Sequence, residues 1–256
     1  RDPWSELDLL NEFYLSKSSR NKHKNLERDV LKNADVTLTV SETWVNDLKR
    51  LGASNVRLIT NGYDSCDFNY KLKKSNKFII GHYGLINHLR NPVNLWCTLD
   101  RLCSQDKEFE SNLEIHLAGH IDADILHKIK SFDRLRNKLK YLGHLTHDEV
   151  LAEYQNTSVL LTLLFDSESG VGNYPGKLFE YFAAKKPILA FGPHNSDTER
   201  LIHLTDTGFY LTYDDTNIEE AILRLYHYKM EFKMTGLDKF SRKNLTKDLV
   251  DILNQL

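Results

Sequence analysis

Short runs of apolar residues alternate with amphipathic segments along most of the 256-residue chain. Such alternation predicts strands that are separated by helices. The first two runs are DVTLTV at 35–40 and NVRLIT at 55–60. Between them, SETWVNDLKRLG begins with a serine suited to cap a helix and ends at a glycine. The pattern therefore predicts a strand–helix–strand unit near the start of the chain.

The alternation restarts after a polar stretch. NGYD at 61–64 indicates a turn, and FNYKLKKSNK at 68–77 reads as a linker. The predicted strands that follow lie at 77–84, 112–119, 138–143, 158–165 and 186–192. These strands are apolar almost throughout, which indicates that helices cover both faces of a parallel sheet. From about residue 216 the pattern is helical and predicts no strand.

The sequence thus predicts an α/β protein with one complete doubly wound, Rossmann-like domain and the tail of a second. Residues 1–70 are assigned to the tail, 71–230 to the complete domain and 231–256 to a helical C-terminal segment. The chain begins without methionine, and Asp2-Pro3 reads as a loop that follows a strand. We therefore expect most of the first domain to precede this chain.

Composition narrows the function classes. The 34 basic residues against 36 acidic ones leave a net charge of −2, so no overall field favours nucleic acid or an acidic membrane. Basic runs such as KSSRNKHKNLER are interpreted as solvated faces. The three cysteines, at 66, 97 and 103, lack C-x-x-C spacing and are interpreted as buried thiols of a reducing, cytoplasmic protein. No apolar run reaches the roughly 18 to 20 residues of a membrane span, and the chain does not open on a signal peptide.

Glycines mark most of the predicted strand ends. Ligands of open parallel sheets bind at the carboxyl ends of the strands, where glycine lets the backbone approach a ligand closely. Gly84, Gly119 and Gly143 hold such positions, and His120 and His144 directly follow two of them. Any one of these glycines is explained by the turn itself, but the set favours a ligand site.

The segment ESGVGNYPGKLFEYFAA at 168–184 resembles a phosphate loop only at first sight. A Walker A loop needs glycine at Val171 and Ser or Thr at Leu178, and a dinucleotide fingerprint needs glycine at Pro175. Pro175 instead suits the first turn of a helix. The free N–H groups and dipole of that helix start predict an anion site.

Charged residues surround this predicted anion site. Lys177 lies in the first turn of the helix, and Arg90 lies in the loop after Gly84. Glu180 follows Lys177 by three residues, so a carboxylate on about the same face is available to accept the hydroxyls of a ribose. A surface helix with a Lys–Glu ion pair explains the same spacing equally well.

The possible metal motifs are weak. DAD at 122–124 has the spacing of an acidic metal-binding motif, but either aspartate is better suited to cap a helix. The pairs His116/His120 and His144/His147 have zinc-like spacing without a further ligand. We predict no metal site.

The segment YPGKLFEYFAAKKPILAF resembles the donor-binding segment of retaining GT-B glycosyltransferases of the bacterial polysaccharide-building type (group 1, family four). Other segments resemble further landmarks of that family in the expected order: RDPW, NADVTLTVSETWVNDLKRLGASNVRLITNGYDSCDF, HYGLINHLRNP, LEIHLAGH and LKYLGHLTHDEVLAEYQNTSVLLTLL. The resemblance covers nearly the whole chain, and mainly the C-terminal, donor-binding domain of the family.

The resemblance implies transfer of a sugar from a UDP- or GDP-sugar to a glycan or lipid-linked acceptor, with retention and without metal or cofactor. It implies that the Gly176 backbone, Lys177 and Arg90 hold the diphosphate and that Glu180 binds the ribose. Cations there stabilise the leaving group, so Arg90 and Lys177 count as catalytic. The implied donor-binding residues are Gly84, Gly119, His120, Gly143, His144, Tyr174, Pro175, Gly176, Leu178 and Glu180.

Two positions depart from the family pattern. Leu85 stands where the family has arginine, and Gly172 stands where it has a sugar-facing glutamate. Glu168 and Asp166 are candidates to replace that carboxylate. Because most of the acceptor domain is expected upstream, this chain is expected to bind nucleotide without necessarily turning it over.

Two alternatives stay open: a non-catalytic nucleotide- or sugar-binding module, and a GT-B nucleotide-sugar epimerase. No nucleic-acid partner is predicted. The full-length protein is expected in the cytoplasm, with peripheral contact to the inner face of the membrane left open.

Overall fold

The computed structural model describes residues 2–6, 10, 13–68, 76–227 and 232–256. The predicted linker at 68–77 and the predicted boundary at 230/231 therefore fall largely outside the described residues. The described chain contains two parallel sheets, one of two strands and one of six.

The small sheet belongs to the predicted strand–helix–strand unit. Strands β1 (Thr37–Thr39) and β2 (Val56–Leu58) pair in parallel. Helix α2 (Glu42–Leu51) connects them, capped by the Ser41 side chain and ended by Gly52 with φ 115°. The serine cap and the glycine end of this helix were both predicted, and the structure confirms them. The preceding helix α1 (Lys17–Asn33) was not predicted, because its basic run hid the helical pattern.

The large sheet contains β3 (Phe78–Tyr83), β4 (Leu113–Ala118), β5 (Leu139–Tyr141), β6 (Val159–Leu163), β7 (Ile188–Phe191) and β8 (Gly208–Leu211). All neighbours are parallel, in the order β5-β4-β3-β6-β7-β8. The sequence predicted the first five of these strands. It missed β8, a four-residue edge strand whose first two residues are half-exposed.

Helices separate the strands of the large sheet and cover both of its faces. They are α3 (Val93–Gln105), α4 (Lys107–Asn112), α5 (Ala123–Ser131), α6 (His147–Asn156), α7 (Glu168–Val171), α8 (Gly176–Ala184), α9 (Asp197–Thr205) and α10 (Ile218–His227). A last helix, α11 (Arg242–Leu253), follows, and the described residues after 216 contain no strand, as predicted. Strands β3, β6 and β7 are buried at every position, which explains their continuous apolar runs.

Direct contacts join the unit that contains the small sheet to the unit that contains the large sheet. The buried carboxylate of Asp197, at the start of α9, accepts a hydrogen bond from the Thr43 N–H at 2.9 Å. The Tyr63 N–H donates to the Phe240 carbonyl at 3.1 Å, and the Arg242 N–H donates to the Tyr63 carbonyl at 2.8 Å. The start of α11 is therefore tied to the turn that follows the small sheet.

The prediction of three buried thiols is wrong for two of them. Cys103 is buried, and burial raises the pKa of its thiol to about 11. Cys66 and Cys97 are exposed, and Cys97 lies on the outer side of α3, whose inner side packs on the sheet. None of the helices in the described residues combines the length and the apolar composition that a membrane crossing needs.

Candidate functional site

The direction of chain progression in the large sheet reverses between β3 and β6. The chain moves outward through β4 and β5 on one side and through β7 and β8 on the other. In doubly wound sheets, this switch point opens a crevice at the carboxyl ends of the two central strands. Here the crevice lies beside Gly84 and Asp166, the residues that follow those ends.

Three glycine turns meet at this edge. The Gly84 N–H donates to the Ala118 carbonyl at 2.8 Å, and the Gly119 N–H donates to the Gly143 carbonyl at 2.7 Å. Gly119 has φ 104°, and a Cβ built on it would lie 2.5 Å from the Gly84 carbonyl oxygen. The conformation and the contact both require glycine at 119.

Helix α8 begins at the same crevice. Pro175 is its N-cap residue, and no side chain caps this end among the described residues. Gly176 is exposed, and a Cβ built there would meet no atom within 4 Å. The helix start is therefore open to a ligand, with the positive end of its dipole unneutralised.

Lys177 and His82 converge on Gly84. A Cβ placed on Gly84 would lie 3.6 Å from the Lys177 Nζ and 3.2 Å from the His82 Nε2. Burial lowers the pKa of Lys177, while the carboxylate of Glu180 opposes this shift. The predicted cation therefore lies directly beside the predicted close-approach glycine.

His82 was missed by the sequence analysis, although it is the polar residue of an otherwise apolar strand. It is 6% exposed, and its Nδ1 lies 2.9 Å from the Leu161 carbonyl oxygen. Burial, with smaller effects from the charges of Lys177 and Arg90, lowers the pKa of His82 to about 4. The ring is thus neutral at pH 7. Its Nε2 is buried without a hydrogen-bond partner among the described residues.

Arg90 approaches the crevice from the β6 side. Its guanidinium carbon lies 3.6 Å from the centroid of the Phe165 ring, and the Asp166 N–H donates to the Leu89 carbonyl at 3.2 Å. Burial lowers the pKa of Arg90, and Tyr213 opposes this shift. Stacking on an aromatic ring fixes the guanidinium plane near the end of β6.

Glu180 does not form the surface ion pair that was the alternative explanation of its spacing. No ion pair within 4 Å joins it to Lys177 in the part of the chain that the structure describes. Its Oε2 instead accepts a hydrogen bond from the Tyr154 hydroxyl at 2.8 Å. The side chain is half-buried, one helical turn from the open start of α8.

The other predicted site residues differ in exposure. His144 is exposed, and the His120 side chain is 80% exposed beside Asp122. Tyr174 is half-buried, with its ring edge-on to Phe179 at 6.0 Å. Leu178 is fully buried, and its N–H already donates to the Pro175 carbonyl at 3.0 Å. The Leu178 side chain thus serves the core, not the crevice surface.

Gly172 has a structural explanation. A Cβ built on it would lie 2.5 Å from both Cδ1 and Nε1 of Trp44, which is 8% exposed. Trp44 belongs to α2 in the first unit, so the two units meet at this glycine. Beside them, Glu168 and Ser169 line a cavity of about 780 Å³ between α1, α2 and α7. Asp166, the other candidate carboxylate, is exposed.

The residues of the possible metal motifs make other contacts in the structure. One of Asp122 and Asp124 was predicted to cap a helix; Asp122 holds the N-cap position of α5, but its side chain makes no capping hydrogen bond. His116 lies between two glutamates and not against His120: its Nε2 is 3.0 Å from the Glu114 Oε2, and its Nδ1 is 2.9 Å from the Glu153 Oε2. Within the described residues, no group of three or more His, Cys, Asp or Glu is arranged to hold a metal ion.

Neither a protein-family model nor a curated protein sequence matches this chain. Solved structures, by contrast, are similar to this chain. A sucrose-phosphate synthase from Thermosynechococcus elongatus superposes with a TM-score of 0.70 at 14% identity over 96% of this chain and 65% of that one. The trehalose-6-phosphate synthase OtsA superposes with a TM-score of 0.70 at 11% identity, over 93% of this chain and 64% of that one. A glycosyltransferase from Rickettsia africae ESF-5 superposes with a TM-score of 0.66 at 16% identity, over 95% of this chain and 68% of that one.

The strand order and these superpositions define the fold. The protein is a doubly wound α/β protein of the Rossmann-like class. More particularly, it shares the α/β architecture of GT-B glycosyltransferase structures. The chain spans less than two thirds of the sucrose-phosphate synthase structure, and at these identities the likeness establishes the fold alone.

Proposed function

We propose that the chain is the donor-binding part of a glycosyltransferase that uses a nucleotide-diphosphate sugar. The observation that carries this proposal is the convergence at the switch point of an uncapped helix start, the Lys177 ammonium and Gly84. That combination suits a diphosphate, because the backbone approaches it closely while N–H groups and a fixed cation face it. The GT-B architecture supports the same reading.

Each residue of this proposed site has a role in transfer. The Gly176 backbone and Lys177 bind the diphosphate, and Arg90, from the loop after β3, supplies a second cation beside Phe165. Negative charge grows on the leaving diphosphate in the transition state, so cations that are already in position lower the barrier. Lys177 is half-buried, where its charge is screened less than in water. The Glu180 carboxylate accepts a hydrogen bond from a hydroxyl of the donor ribose.

The finer features of the proposal follow the family resemblance. The donor is a UDP- or GDP-sugar, and the acceptor is a glycan or a lipid-linked glycan. Transfer proceeds with retention and without metal or cofactor, in the cytoplasm, with peripheral membrane contact in the full-length protein. Two similar structures fit such a donor by their descriptions: a trehalose-phosphate synthase is called UDP-forming, and TarM was solved with UDP.

Calorimetric titration of the chain with UDP and with GDP tests the donor site. We expect one of them to bind and Lys177→Ala to weaken binding by about tenfold or more, because a hydrogen bond to a charged group is lost. Lys186→Ala is the matched control: Lys186 is also half-buried, with a pKa lowered by burial, but lies beyond the far end of α8. Binding that Lys177→Ala and Glu180→Ala leave unchanged would contradict the assignment.

The Trp44–Gly172 contact favours a second candidate, a binding module without transfer activity. Trp44 occupies the space into which a side chain at 172 would extend, so the family's sugar-facing glutamate has no room there. Assay of the full-length protein for donor hydrolysis and sugar transfer separates the two candidates. A module would bind the nucleotide and catalyse neither reaction.

A further inference from the structure

Tyr154 lies behind Glu180, outside the proposed donor site. It belongs to α6 and is 0% exposed. Its hydroxyl donates to the Glu180 Oε2 at 2.8 Å, across 26 residues of sequence. No other hydrogen bond holds the Glu180 carboxylate among the described residues. A buried side chain from another helix thus holds one oxygen of a half-exposed carboxylate.

The surroundings of Tyr154 keep its hydroxyl in place. Its ring packs edge-to-face against Tyr83, with centroids 5.2 Å apart, and against Tyr181 at 5.3 Å. Burial raises the pKa of Tyr154 far above its ordinary value, with nearby Tyr181 and Glu180 acting in the same direction. The hydroxyl therefore stays protonated and can act only as donor toward the carboxylate.

We propose that Tyr154 is a positioning residue for ribose recognition: its hydroxyl fixes Oε2 of Glu180 and so presents Oε1 to a ribose hydroxyl of the nucleotide. The proposal rests on the proposed function, which gives Glu180 its ribose. A free glutamate on a helix samples several rotamers, and ordering it costs binding free energy. The hydrogen bond from Tyr154 meets that cost before the ligand arrives.

Discrimination between ribose and deoxyribose tests this role. The chain is titrated with whichever of UDP and GDP binds, and with its 2′-deoxy and 3′-deoxy forms. Wild type is expected to favour the ribose form, and Glu180→Gln to lose most of that preference. Tyr154→Phe is expected to lower the ribose preference by roughly 3- to 10-fold, the effect of one hydrogen bond. Combined with Glu180→Gln, it should add no further loss.

Tyr83→Phe is the matched control. Tyr83 is almost as deeply buried and its ring packs on that of Tyr154, but its hydroxyl pairs with Thr157 at 2.6 Å. It should leave the ribose preference unchanged, whereas a general loosening of this core would reduce the preference in both variants. If Tyr154→Phe does not fold, 3-fluorotyrosine at position 154 tests the same point, since it keeps the ring and the hydroxyl but changes the strength of the bond to Glu180. The ribose preference should change with it, and an unchanged preference would overturn the positioning role.

The outcomes separate the two proposals. Tyr154→Phe with wild-type ribose preference, while Glu180→Gln loses it, would overturn the positioning role and leave the donor site intact. Equal losses in Tyr154→Phe and Tyr83→Phe would also overturn it. If Glu180→Gln itself keeps the preference, the ribose assignment fails and the positioning role fails with it.

Discussion

Replacement of Gly172 by alanine tests the contact between the two units. Gly172 has φ −88° and ψ 2°, which any residue can adopt, so its backbone does not require glycine. The lack of space does require glycine, because the added Cβ would lie 2.5 Å from Cδ1 and Nε1 of Trp44. Trp44 is nearly buried on α2 and is not the flexible end of a long side chain. Alanine should therefore force a shift between α2 and the loop after α7.

The magnitude follows from two opposing effects. Overpacking a well-packed site costs about 1 to 3 kcal/mol. Alanine also lowers the conformational entropy of the unfolded chain relative to glycine, which stabilises the fold by about 0.4 to 1 kcal/mol. The net expectation for Gly172→Ala is a loss of roughly 0.5 to 2 kcal/mol. At about 2 to 4 °C per kcal/mol, Tm should fall by about 1 to 8 °C.

Urea unfolding followed by circular dichroism, in a double-mutant cycle with Trp44→Ala, measures this contact. Gly172→Ala should cost stability in wild type and nothing, or even stabilise, once Trp44 is truncated. Gly176→Ala is the control, because a Cβ there meets no atom within 4 Å. The reasoning is refuted if Gly172→Ala is neutral in wild type, or if its cost is the same with and without the indole.

Two further predictions concern the large sheet. Gly119→Ala should destabilise the fold by about 2 to 4 kcal/mol, because it combines a strained φ of 104° with a Cβ 2.5 Å from the Gly84 carbonyl oxygen. The control Gly143→Ala, with φ 69° and open space around the Cβ, should cost only the backbone strain, about 1 to 2 kcal/mol. Equal losses of unfolding free energy in the two variants, measured by urea unfolding, would contradict the predicted clash. Burial disfavours the charged form of His116, but hydrogen bonds with Glu153 and Glu114 outweigh it and raise the pKa of His116. Its stabilising contribution should be complete below about pH 6.5, the ordinary histidine value, and be lost as pH rises through the raised folded-state pKa. The difference in free energy of unfolding between wild type and His116→Gln, measured across pH, should therefore shrink on raising the pH, and a difference that stays constant or grows would exclude this linkage.

The sequence predicted the elements whose signals are local. The Ser41 cap, the Gly52 stop and the fully buried runs of β3, β6 and β7 each follow from a few neighbouring residues. It missed α1, where lysines and arginines hide the pattern, and β8, which is short and lies at the edge of the sheet. In the candidate site, it assigned Lys177 and Gly84 to one phosphate site at the carboxyl edge of a parallel sheet; that the Lys177 Nζ lies 3.6 Å from a Cβ built on Gly84 is a finding of the structure.

The contacts between elements that are distant in sequence could not be predicted from the sequence. Tyr154 reaches Glu180 from another helix, and the His82 ring meets the Leu161 carbonyl oxygen only because β3 pairs with β6 at the switch point. Trp44 of the other unit fills the space beside Gly172, a contact that no local signal in the sequence indicates. Periodicity and turn residues by themselves determined the elements and their layering, because those signals act within a few residues. The tertiary structure alone decided which side chains share the crevice, because that depends on packing between elements distant in sequence.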